Sequence, residues 1–484
     1  MDVVVIGGGP AGYAAAIALA QGGARVRLVE EAAPGGTCVH RGCIPTKALL
    51  ESARLAREMG AAEAFGLRAP AGPMADWTAV RRRQDRIVAG LASGLGQLLR
   101  ASGVTVVRGR GTLLPPDAPG RPPRVRVEPG MDRGALADAG DSPLRPDVLV
   151  LAPGSVPARP PIPGADLPGV IDSDGLLALE EQPRRLAIVG GGAIGCELAT
   201  AHAALGADVA VLEAMPHLLP AADADIARRL EAAFRRRGIA VATAVAVLAI
   251  EAGGRGAGEA ADSGRLAVRV REAGGAEVVH RADAVLLATG RRPNTGAMGL
   301  AEAGVRLRPG GAIEVDARFR CPGVPGVWAV GDAVGQPMLA HAAFAQASAA
   351  AADALGRPVP TLPPVPFPVY SHPEVAWVGA SEEAPGARAA RVPFGALGRA
   401  HAAGDIEGLC KMVADGAGRI VGVHMIGAHA TELIAAGVVA VARAMPLEEF
   451  AAATLPHPTL TEAFGEAAHL LLGRPLHVLP AGRR

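Results

Sequence analysis

The sequence predicts an α/β fold with two similar parallel-sheet units and a final α+β region. Residues 1–30 read as a strand, a glycine-rich turn, a helix and a second strand, and residues 186–213 repeat this order. This succession is typical of a parallel sheet with crossover helices. From about Pro358 a proline-rich stretch leads into further strands and helices. We therefore predict two Rossmann-like dinucleotide-binding domains followed by a C-terminal α+β domain.

The composition fits a chain of several globular domains. The 484 residues are too many for one ordinary domain, and 50% of them are hydrophobic. Aromatic residues make up only 3%, so the cores must be built from alanine, valine, leucine and isoleucine. The net charge of +1 gives no electrostatic reason to expect nucleic acid or an anionic membrane as a partner. We find no apolar run of about 18 residues and no signal peptide, and we expect a cytoplasmic protein.

The first turn carries three glycines at the spacing that a dinucleotide pyrophosphate requires. Gly7, Gly9 and Gly12 follow a strand and stand at the start of a helix. The first permits a tight turn, the second lets the backbone approach the pyrophosphate, and the third lets helix and strand pack closely. The helix N-terminus then offers free N–H groups to the phosphates. Glu30 ends the next strand, where a carboxylate can accept a ribose hydroxyl, so we favour a dinucleotide site over a tight turn without a ligand.

The second turn repeats this arrangement with Gly190, Gly192 and Gly195. Glu213 stands at the end of the following strand, where a carboxylate favours a free 2′-hydroxyl and repels a 2′-phosphate. The next residues, AMPHLLP, include no arginine that would bind such a phosphate. The sequence therefore predicts NAD rather than NADP at this site.

Two of the five cysteines, Cys38 and Cys43, are five residues apart in GGTCVHRGCIPTKALL. On an ideal helix their Cα atoms would be roughly 8–9 Å apart, whereas a disulfide requires about 4.4–6.8 Å. If the two bond, the first helical turn must be distorted, and Gly42 permits that. A helix N-terminus also lowers the pKa of a thiol. A redox-active pair is therefore favoured over two buried small hydrophobic residues.

Taken together, these segments resemble the class I pyridine nucleotide–disulfide oxidoreductases over essentially the whole chain. The resemblance rests on both glycine motifs, the GGTC…GC-P-x-K segment, ATGRRPN, AVGDAV and HPTLTE. It implies FAD in the first nucleotide site and NAD in the second. It also implies a C-terminal dimerisation domain and a homodimer whose active site is shared across subunits. The implied domains are FAD-binding (1–152 and 283–357), NAD-binding (153–282) and dimerisation (358–484).

The resemblance further implies roles for individual residues. Cys38 would meet the substrate and Cys43 would face the flavin. Lys47 would lie near the flavin and pair with Glu197, while Asp332 would bind the ribityl chain. The other cofactor-binding positions implied by the match are Thr37, Gly154, Ala340 and Gly290. No metal site is predicted.

An acid–base residue is needed because thiol–disulfide exchange requires removal and return of a thiol proton. His457 precedes Pro458, and we expect the proline to open a helix with Glu462 one turn inside it. The carboxylate of Glu462 can then orient the imidazole and stabilise its charged form. The motif HPTLTE resembles the family's base motif, in which the histidine reaches the disulfide of the other subunit. Among twelve histidines, His457 is therefore the predicted base, rather than a structural surface histidine.

Within the family, the chain looks most like the dihydrolipoamide dehydrogenases. The segments CIPTKALL, PMLAH, YSHPEVAWVG and HPTLTEAFGEA carry this likeness. The tail lacks the C-terminal cysteine pair of mercuric reductases, and the arginines typical of glutathione reductases are absent. The implied reaction is oxidation of dihydrolipoamide on a lipoyl-carrying protein by NAD. The chain departs from the family's usual pattern at Pro153, His40, Arg41 and Ala193. We expect these changes to leave the chemistry intact, and whether they change partner or cofactor preference stays open.

Two alternatives remain open. The first is a related enzyme of the same fold that reduces another disulfide or a quinone. The second is a binding or scaffold subunit that keeps FAD but has no turnover. The presence of Cys38, Cys43, His457 and Glu462 argues against the second alternative.

Overall fold

The computed structural model describes residues 1–68, 75–129, 142–253 and 265–479. The chain forms two compact units, each assembled from separate stretches of sequence. The first contains Met1–Leu49, Thr78–Ala158 and Gly290–Leu362. The second contains Leu50–Trp77, Arg159–Thr289 and Pro363–Arg484.

The N-terminal third of the chain supplies the first glycine turn, residues 35–50 with Cys38 and Cys43 (the redox segment), and two long helices. Its strands are β1 (Asp2–Ile6), β2 (Arg25–Glu30), β3 (Thr105–Arg108), β4 (Arg110–Leu114), β5 (Arg124–Glu128), β6 (Val148–Leu151) and β7 (Ser155–Pro157). Its helices are α1 (Pro10–Gln21), α2 (Gly36–His40), α3 (Cys43–Gly60) and α4 (Trp77–Ala101).

The middle of the chain supplies the second glycine turn and then returns to the first unit. Its strands are β8 (Val170–Ile171), β9 (Arg185–Val189), β10 (Asp208–Leu212), β11 (Ala240–Ala242), β12 (Ala246–Ala252), β13 (Leu266–Arg271), β14 (Glu277–Ala282), β15 (Ala284–Leu287), β16 (Arg291–Pro293) and β17 (Val327–Ala329). Its helices are α5 (Ser173–Leu177), α6 (Ala193–Ala204), α7 (Ala224–Arg236) and α8 (Ala340–Ala354).

The C-terminal region is the predicted α+β part. Its strands are β18 (Phe367–Val369), β19 (Glu374–Gly379), β20 (Arg388–Pro393), β21 (Leu409–Ala414) and β22 (Ile420–Gly427). Its helices are α9 (Gly398–Ala402), α10 (Ala430–Ala442), α11 (Leu447–Ala451) and α12 (Glu462–Leu471). Three short 3-10 turns complete the described structure, at Ala62–Phe65, Gly331–Val334 and Phe394–Ala396.

The first unit is organised around a five-stranded parallel sheet in the order β17-β6-β1-β2-β3. Side chains of β1 alternate between two buried layers, as a strand covered on both faces requires. Val3 and Val5 lie in the core shared with α1 and α8, whereas Val4 and Ile6 face a second core. The glycine turn therefore follows the carboxyl end of a buried inner strand of the sheet.

The second unit contains another five-stranded parallel sheet, β11-β10-β9-β15-β8, and the antiparallel sheet β18-β19-β22-β21-β20. The predicted α/β class with a C-terminal α+β region is confirmed. Strand β15 (Ala284–Leu287) pairs in parallel with β9, and the compact unit changes between Thr289 and Gly290. The limits of the FAD-binding, NAD-binding and dimerisation domains stay predictions.

In the described part of the chain, no helix has the length and apolar character needed to cross a membrane.

One buried polar group in α6 is unusual. His202 is 0% exposed, and within the described structure neither of its ring nitrogens has a hydrogen-bond partner. Its ring lies against Trp77, with centroids 5.5 Å apart. Burial lowers the pKa of His202 from 6.5 to about 4. Between about pH 4 and pH 6.5 the imidazole is therefore neutral in the folded chain and protonated in the unfolded chain.

Replacing His202 by leucine should make the protein less sensitive to acid. Between pH 6.5 and 4 the unfolded chain binds a proton that the folded chain does not, so stability falls as pH falls, by about 2 kcal/mol at pH 5. We expect the thermal midpoint to fall less between pH 7.5 and pH 5 in His202→Leu than in the wild type. The exposed His401 gives the control His401→Leu, which should behave like the wild type. Equal losses in His202→Leu and the wild type would contradict this account.

Candidate functional site

The first glycine turn is closed by direct packing of backbone on backbone. A Cβ atom added at Gly12 would lie 1.7 Å from the carbonyl oxygen of Gly7, and one added at Gly7 would lie 2.1 Å from the oxygen of Ala152. Gly9, the N-cap of α1, is more open, since its added Cβ meets its nearest neighbour only at 3.9 Å. The two outer glycines thus serve packing, and the middle one leaves room for a ligand above the helix N-terminus.

Glu30 holds this turn from the end of β2. Its carboxylate accepts hydrogen bonds from the backbone N–H groups of Gly8 and Ala32, the latter at 2.8 Å. A carboxylate has further lone pairs, so these two bonds leave capacity for a hydroxyl group. Glu30 therefore lies beside the glycine turn, as the sequence pattern required.

The second glycine turn has the same geometry in the second unit. An added Cβ at Gly195 would lie 2.0 Å from the oxygen of Gly190, and one at Gly190 would lie 2.4 Å from the oxygen of Ala288. An added Cβ at Gly192 meets no described atom within 4 Å. The buried carboxylate of Glu213 accepts N–H groups from Gly191 and, at 2.7 Å, from Met215. In both turns, the two outer glycines pack tightly against backbone atoms, the middle glycine is open, and a carboxylate lies beside the turn.

The loop after β6 completes the first site. The hydroxyl of Ser155 donates a hydrogen bond to Asp332. The same hydroxyl accepts a hydrogen bond from the Nε–H of Arg291 at 2.7 Å. Gly154 has a φ of 76°, and a Cβ added there would meet no described atom within 4 Å. The side chain of Asn294 donates to the carbonyl oxygen of Pro153 at 3.3 Å. The APGS loop is therefore fixed next to Asp332 despite its unusual proline.

The redox segment avoids the geometric problem of an ideal helix by being two helices. Cys38 lies in the short helix α2, Cys43 begins α3, and Arg41 and Gly42 separate the two helices. A Cβ added at Gly42 would lie 3.1 Å from the oxygen of Thr37, so the break is tightly packed. The expected distortion at Gly42 is thus a complete interruption of the helix.

The two thiols are in hydrogen-bond contact, and neither is in a disulfide. The hydrogen bond to Cys43 is the main reason that the pKa of Cys38 is raised, and burial and the charge on Cys43 act in the same direction. Lys47, one turn into α3, opposes this shift, while Asp332 adds to it. The pKa of Cys38 is therefore raised, in contrast to the general expectation that a helix N-terminus lowers a thiol pKa.

The redox segment is attached directly to the first glycine turn. The N–H of Gly35 donates to the oxygen of Gly8 at 2.8 Å, and a Cβ added at Gly36 would lie 2.6 Å from the Cα of Gly9. Tyr13, which follows the turn in α1, also faces the pair. Burial raises the pKa of Tyr13, and the charges of Cys38 and Cys43 raise it further.

His457 and Glu462 are in direct contact. The Nδ1 of His457 lies 2.8 Å from Glu462 Oε1, and the backbone N–H of Thr459 donates to Glu462 Oε2 at 2.8 Å. The imidazole is largely exposed, whereas the carboxylate is only 20% exposed. Burial raises the pKa of Glu462, but the bonds from His457 and Thr459 outweigh it and the pKa is lowered. The predicted helix start at Pro458 is wrong, because α12 begins at Glu462 itself.

Comparison with protein families now decides what kind of protein these elements form. The family model described as pyridine nucleotide-disulphide oxidoreductase matches residues 1–347, and the model of its dimerisation domain matches residues 365–468. The chain belongs to the pyridine nucleotide-disulphide oxidoreductases. It is an oxidoreductase enzyme, and its C-terminal region is a dimerisation domain, which supports a homodimer.

Full-length relatives agree with this family. Proteins named dihydrolipoyl dehydrogenase from Bacillus subtilis and Thermus scotoductus are 35% and 36% identical to the chain, over 99% of it and over 100% and 99% of their own lengths. Among solved structures, LpdA from Mycobacterium tuberculosis matches with a TM-score of 0.85 and 28% identity, covering 97% of this chain and 99% of that protein. RclA from Escherichia coli, titled an HOCl-induced flavoprotein disulfide reductase, matches with a TM-score of 0.81 and 27% identity, covering 97% and 100%.

Pyridine nucleotide-disulphide oxidoreductases of this kind use FAD and NAD, and so does this chain. The residues present fit both cofactors, since each glycine turn leaves its middle glycine open at a helix N-terminus and places a carboxylate beside it. The assignment of individual residues to each cofactor stays a prediction.

The remaining predicted residues lie in consistent local surroundings. Ala340 is the first residue of α8, and Gly290 has a φ of 111° with its carbonyl oxygen accepting the N–H of Ala158. Glu197 is buried and accepts the N–H of Tyr370 at 3.0 Å. Lys47 and Glu197 belong to different compact units, and their pairing stays a prediction.

The sequence reasoning missed several residues that shape this oxidoreductase site. Ser155 and Arg291 lie inside motifs that were noticed, but their contact was not anticipated. Gln346 accepts the N–H of Gly331 at 2.7 Å and so fixes the turn before Asp332. Tyr13 had no sequence signal beyond its position directly after the third glycine.

Replacing Gly12 by alanine should remove FAD from the protein. The added methyl group would lie 1.7 Å from a backbone oxygen, so the turn must move and the cradle for the pyrophosphate is lost. The ratio of flavin absorbance to polypeptide in the purified variant measures this effect. Gly94→Ala is a suitable control, because the added Cβ of this helical glycine meets no described atom within 4 Å. A Gly12→Ala protein with full FAD content would show that the close packing is dispensable.

Proposed function

We propose that the chain oxidises protein-bound dihydrolipoamide to lipoamide through Cys38 and Cys43, with NAD as the final electron acceptor. The observation that carries the proposal is the contact between the two thiols at the junction of α2 and α3. The relatives named dihydrolipoyl dehydrogenase, which are aligned over 99% of the chain, support the choice of substrate. A lipoyl-carrying protein is therefore the proposed partner.

The proposed exchange begins with the Cys38–Cys43 pair as a disulfide. One substrate thiolate attacks the Sγ of Cys38, which forms a mixed disulfide and releases Cys43 as a thiolate. The second substrate thiol then loses its proton and attacks the first substrate sulfur, which forms the lipoamide disulfide and breaks the mixed disulfide with Cys38. Cys38 leaves and takes up this proton as a thiol. Two electrons have passed from the substrate to the cysteine pair. FAD held at the first glycine turn would supply the two-electron chemistry that links the cysteine pair to NAD.

His457 of the partner subunit is the proposed base in this exchange. Its imidazole accepts the proton of the attacking substrate thiol, and Glu462 holds its Nδ1 side so that Nε2 points away for this task. Because this histidine comes from the partner subunit, the proposal requires a homodimer. We place the reaction in the cytoplasm, because a reactive thiol pair and three further free thiols fit a reducing compartment.

A related disulfide reductase is the second candidate function. The likeness to RclA, titled a flavoprotein disulfide reductase, favours it. This rival keeps the same cysteine pair and differs only in the acceptor or donor that Cys38 meets. A non-catalytic scaffold subunit has less support, because the thiol contact and the His457–Glu462 contact are both intact.

Anaerobic titration distinguishes these functions. We expect both NADH and dihydrolipoamide to produce a long-wavelength absorption band, since a Cys43 thiolate next to the flavin absorbs there. In Cys43→Ser the band and the lipoamide turnover should both disappear while FAD stays bound. A band with NADH but not with dihydrolipoamide would replace the proposed substrate by that of another disulfide or quinone reductase. Unchanged turnover in Cys43→Ser would reject the mechanism.

Replacing His457 and Glu462 should have unequal effects on turnover. Loss of a general base typically costs about 10²–10⁴-fold in rate, so we expect this loss in kcat for His457→Gln and a smaller one for Glu462→Gln. The lowered pKa of Glu462 keeps its carboxylate ionised from well below pH 6 upward, so its contribution is lost only in stronger acid. The factor lost in Glu462→Gln should therefore be the same at pH 6 and pH 8.

The exposed His401 in the same domain provides a matched control, and His401→Gln should keep full kcat. A His457→Gln enzyme with wild-type kcat and full FAD content would remove His457 from the mechanism.

A further inference from the structure

A buried lysine lies outside all the sites described above. Lys411, on β21, has a side chain only 1% exposed. Its Nζ lies 2.7 Å from Asp223, 3.0 Å from Asp225 and 2.7 Å from Glu382. A buried ammonium group is strongly disfavoured unless carboxylates surround it in this way. Burial lowers its pKa, but the three carboxylates outweigh burial and the pKa of Lys411 is raised.

Two of these carboxylates belong to the start of helix α7. Asp223 is the N-cap of α7, and its Oδ1 accepts the N–H of Asp225 at 3.0 Å. Its other oxygen, Oδ2, accepts from Lys411. One carboxylate therefore both begins the helix and ties that end of the helix to the antiparallel sheet.

Helix α7 in turn holds the second glycine turn. Glu231, buried on α7, accepts the N–H of Leu218 at 3.0 Å. The next residue, Leu219, donates its N–H to the oxygen of Gly191 at 2.8 Å. The Leu218 side chain packs so closely that a Cβ at Gly191 would lie 2.4 Å from it. Gly191 is the residue whose N–H binds Glu213. A series of hydrogen bonds and packing contacts through α7 and residues 218–219 therefore connects Lys411 with Glu213, the acid of the second glycine turn.

We propose that Lys411 is a positioning residue for the NAD site, acting through helix α7 on the segment that supports Gly191 and Glu213. The inference rests on the proposed placement of NAD at the second glycine turn. Lys411 has no atom at that turn, so its effect is on geometry alone. Release of the N-terminus of α7 loosens the 218–219 segment and with it the ribose-facing carboxylate.

A merely structural lysine would behave differently. Its loss would lower the stability of the dimerisation domain, and NAD affinity would stay as in the wild type. The two roles are thus separated by direct binding measurements on folded holoenzyme rather than by activity alone.

Three variants test the proposal. Lys411→Met removes the charge. Asp223→Ser keeps a good N-cap for α7 but is too short to reach Lys411. Arg391→Gln is the matched control, because Arg391 pairs with the same Asp225 and Glu382 from a 42% exposed position and does not contact the N-cap.

The measurements are NADH binding to each holoenzyme by direct titration, together with KM for NAD and kcat. Mutations along such connecting networks change coupling by amounts equivalent to about 2- to 30-fold in affinity. We expect Lys411→Met and Asp223→Ser to weaken NADH binding and raise KM by this factor. FAD content and kcat at saturating NAD should stay at the wild-type level, and Arg391→Gln should match the wild type throughout.

Wild-type NADH affinity in folded Lys411→Met or Asp223→Ser would overturn the inference. If Lys411→Met does not fold, Asp223→Ser decides. A parallel Glu213→Gln variant separates this result from failure of the proposed NAD site. Weakened NADH binding in Glu213→Gln with normal binding in Asp223→Ser rejects only the role of Lys411. Normal binding in Glu213→Gln rejects the NAD site itself, and the inference with it.

Discussion

The packing of glycine backbone on glycine backbone at the first turn is the contact on which both cofactor binding and redox chemistry depend. Gly12 lies against the oxygen of Gly7, and Gly36 of the redox segment lies against Gly9. The hydrogen bond from Gly35 to Gly8 fixes the second of these contacts. A side chain at either position would separate the surfaces. The turn that we predict to bind the pyrophosphate is thus also in contact with the segment that carries Cys38.

The acids of the two turns have a double task. Glu30 and Glu213 each accept a hydrogen bond from the backbone N–H of the residue after the first glycine of the turn, which is Gly8 or Gly191. Each acid also accepts a hydrogen bond from the backbone N–H of the residue two positions after the acid itself. The second site is more closed, because Leu218 packs under Gly191 and Glu213 is only 7% exposed. A neutral replacement would therefore disturb the turn. If Glu213 also binds the ribose 2′-hydroxyl, as we predict, cofactor preference and local folding are coupled at this position.

Local patterns in the sequence predicted the features that arise from local constraints. The glycine turns and the parallel sheets both follow from short motifs. The start of α12 does not, because the Thr459 hydroxyl binds the oxygen of Pro456 and its N–H binds Glu462, which makes a turn where a helix was expected. The Lys411 cluster joins residues 186 and 188 positions apart in sequence, and no local pattern signals such a contact.

The scarcity of aromatic residues has a consequence for electrostatics at the first site. Helices α1 and α8 run in parallel, as shown by the contacts of Tyr13 with Phe344 near their N-termini and of Gly22 with Leu355 at their C-termini. Their small side chains, including Ala15 and Ala347, share one core and allow close approach. Parallel helices bring two positive dipole ends together, which is unfavourable unless negative charge lies there. At the predicted FAD site, the pyrophosphate and a reduced, anionic flavin would supply such charge, so the alanine-rich packing and the choice of cofactor would reinforce each other.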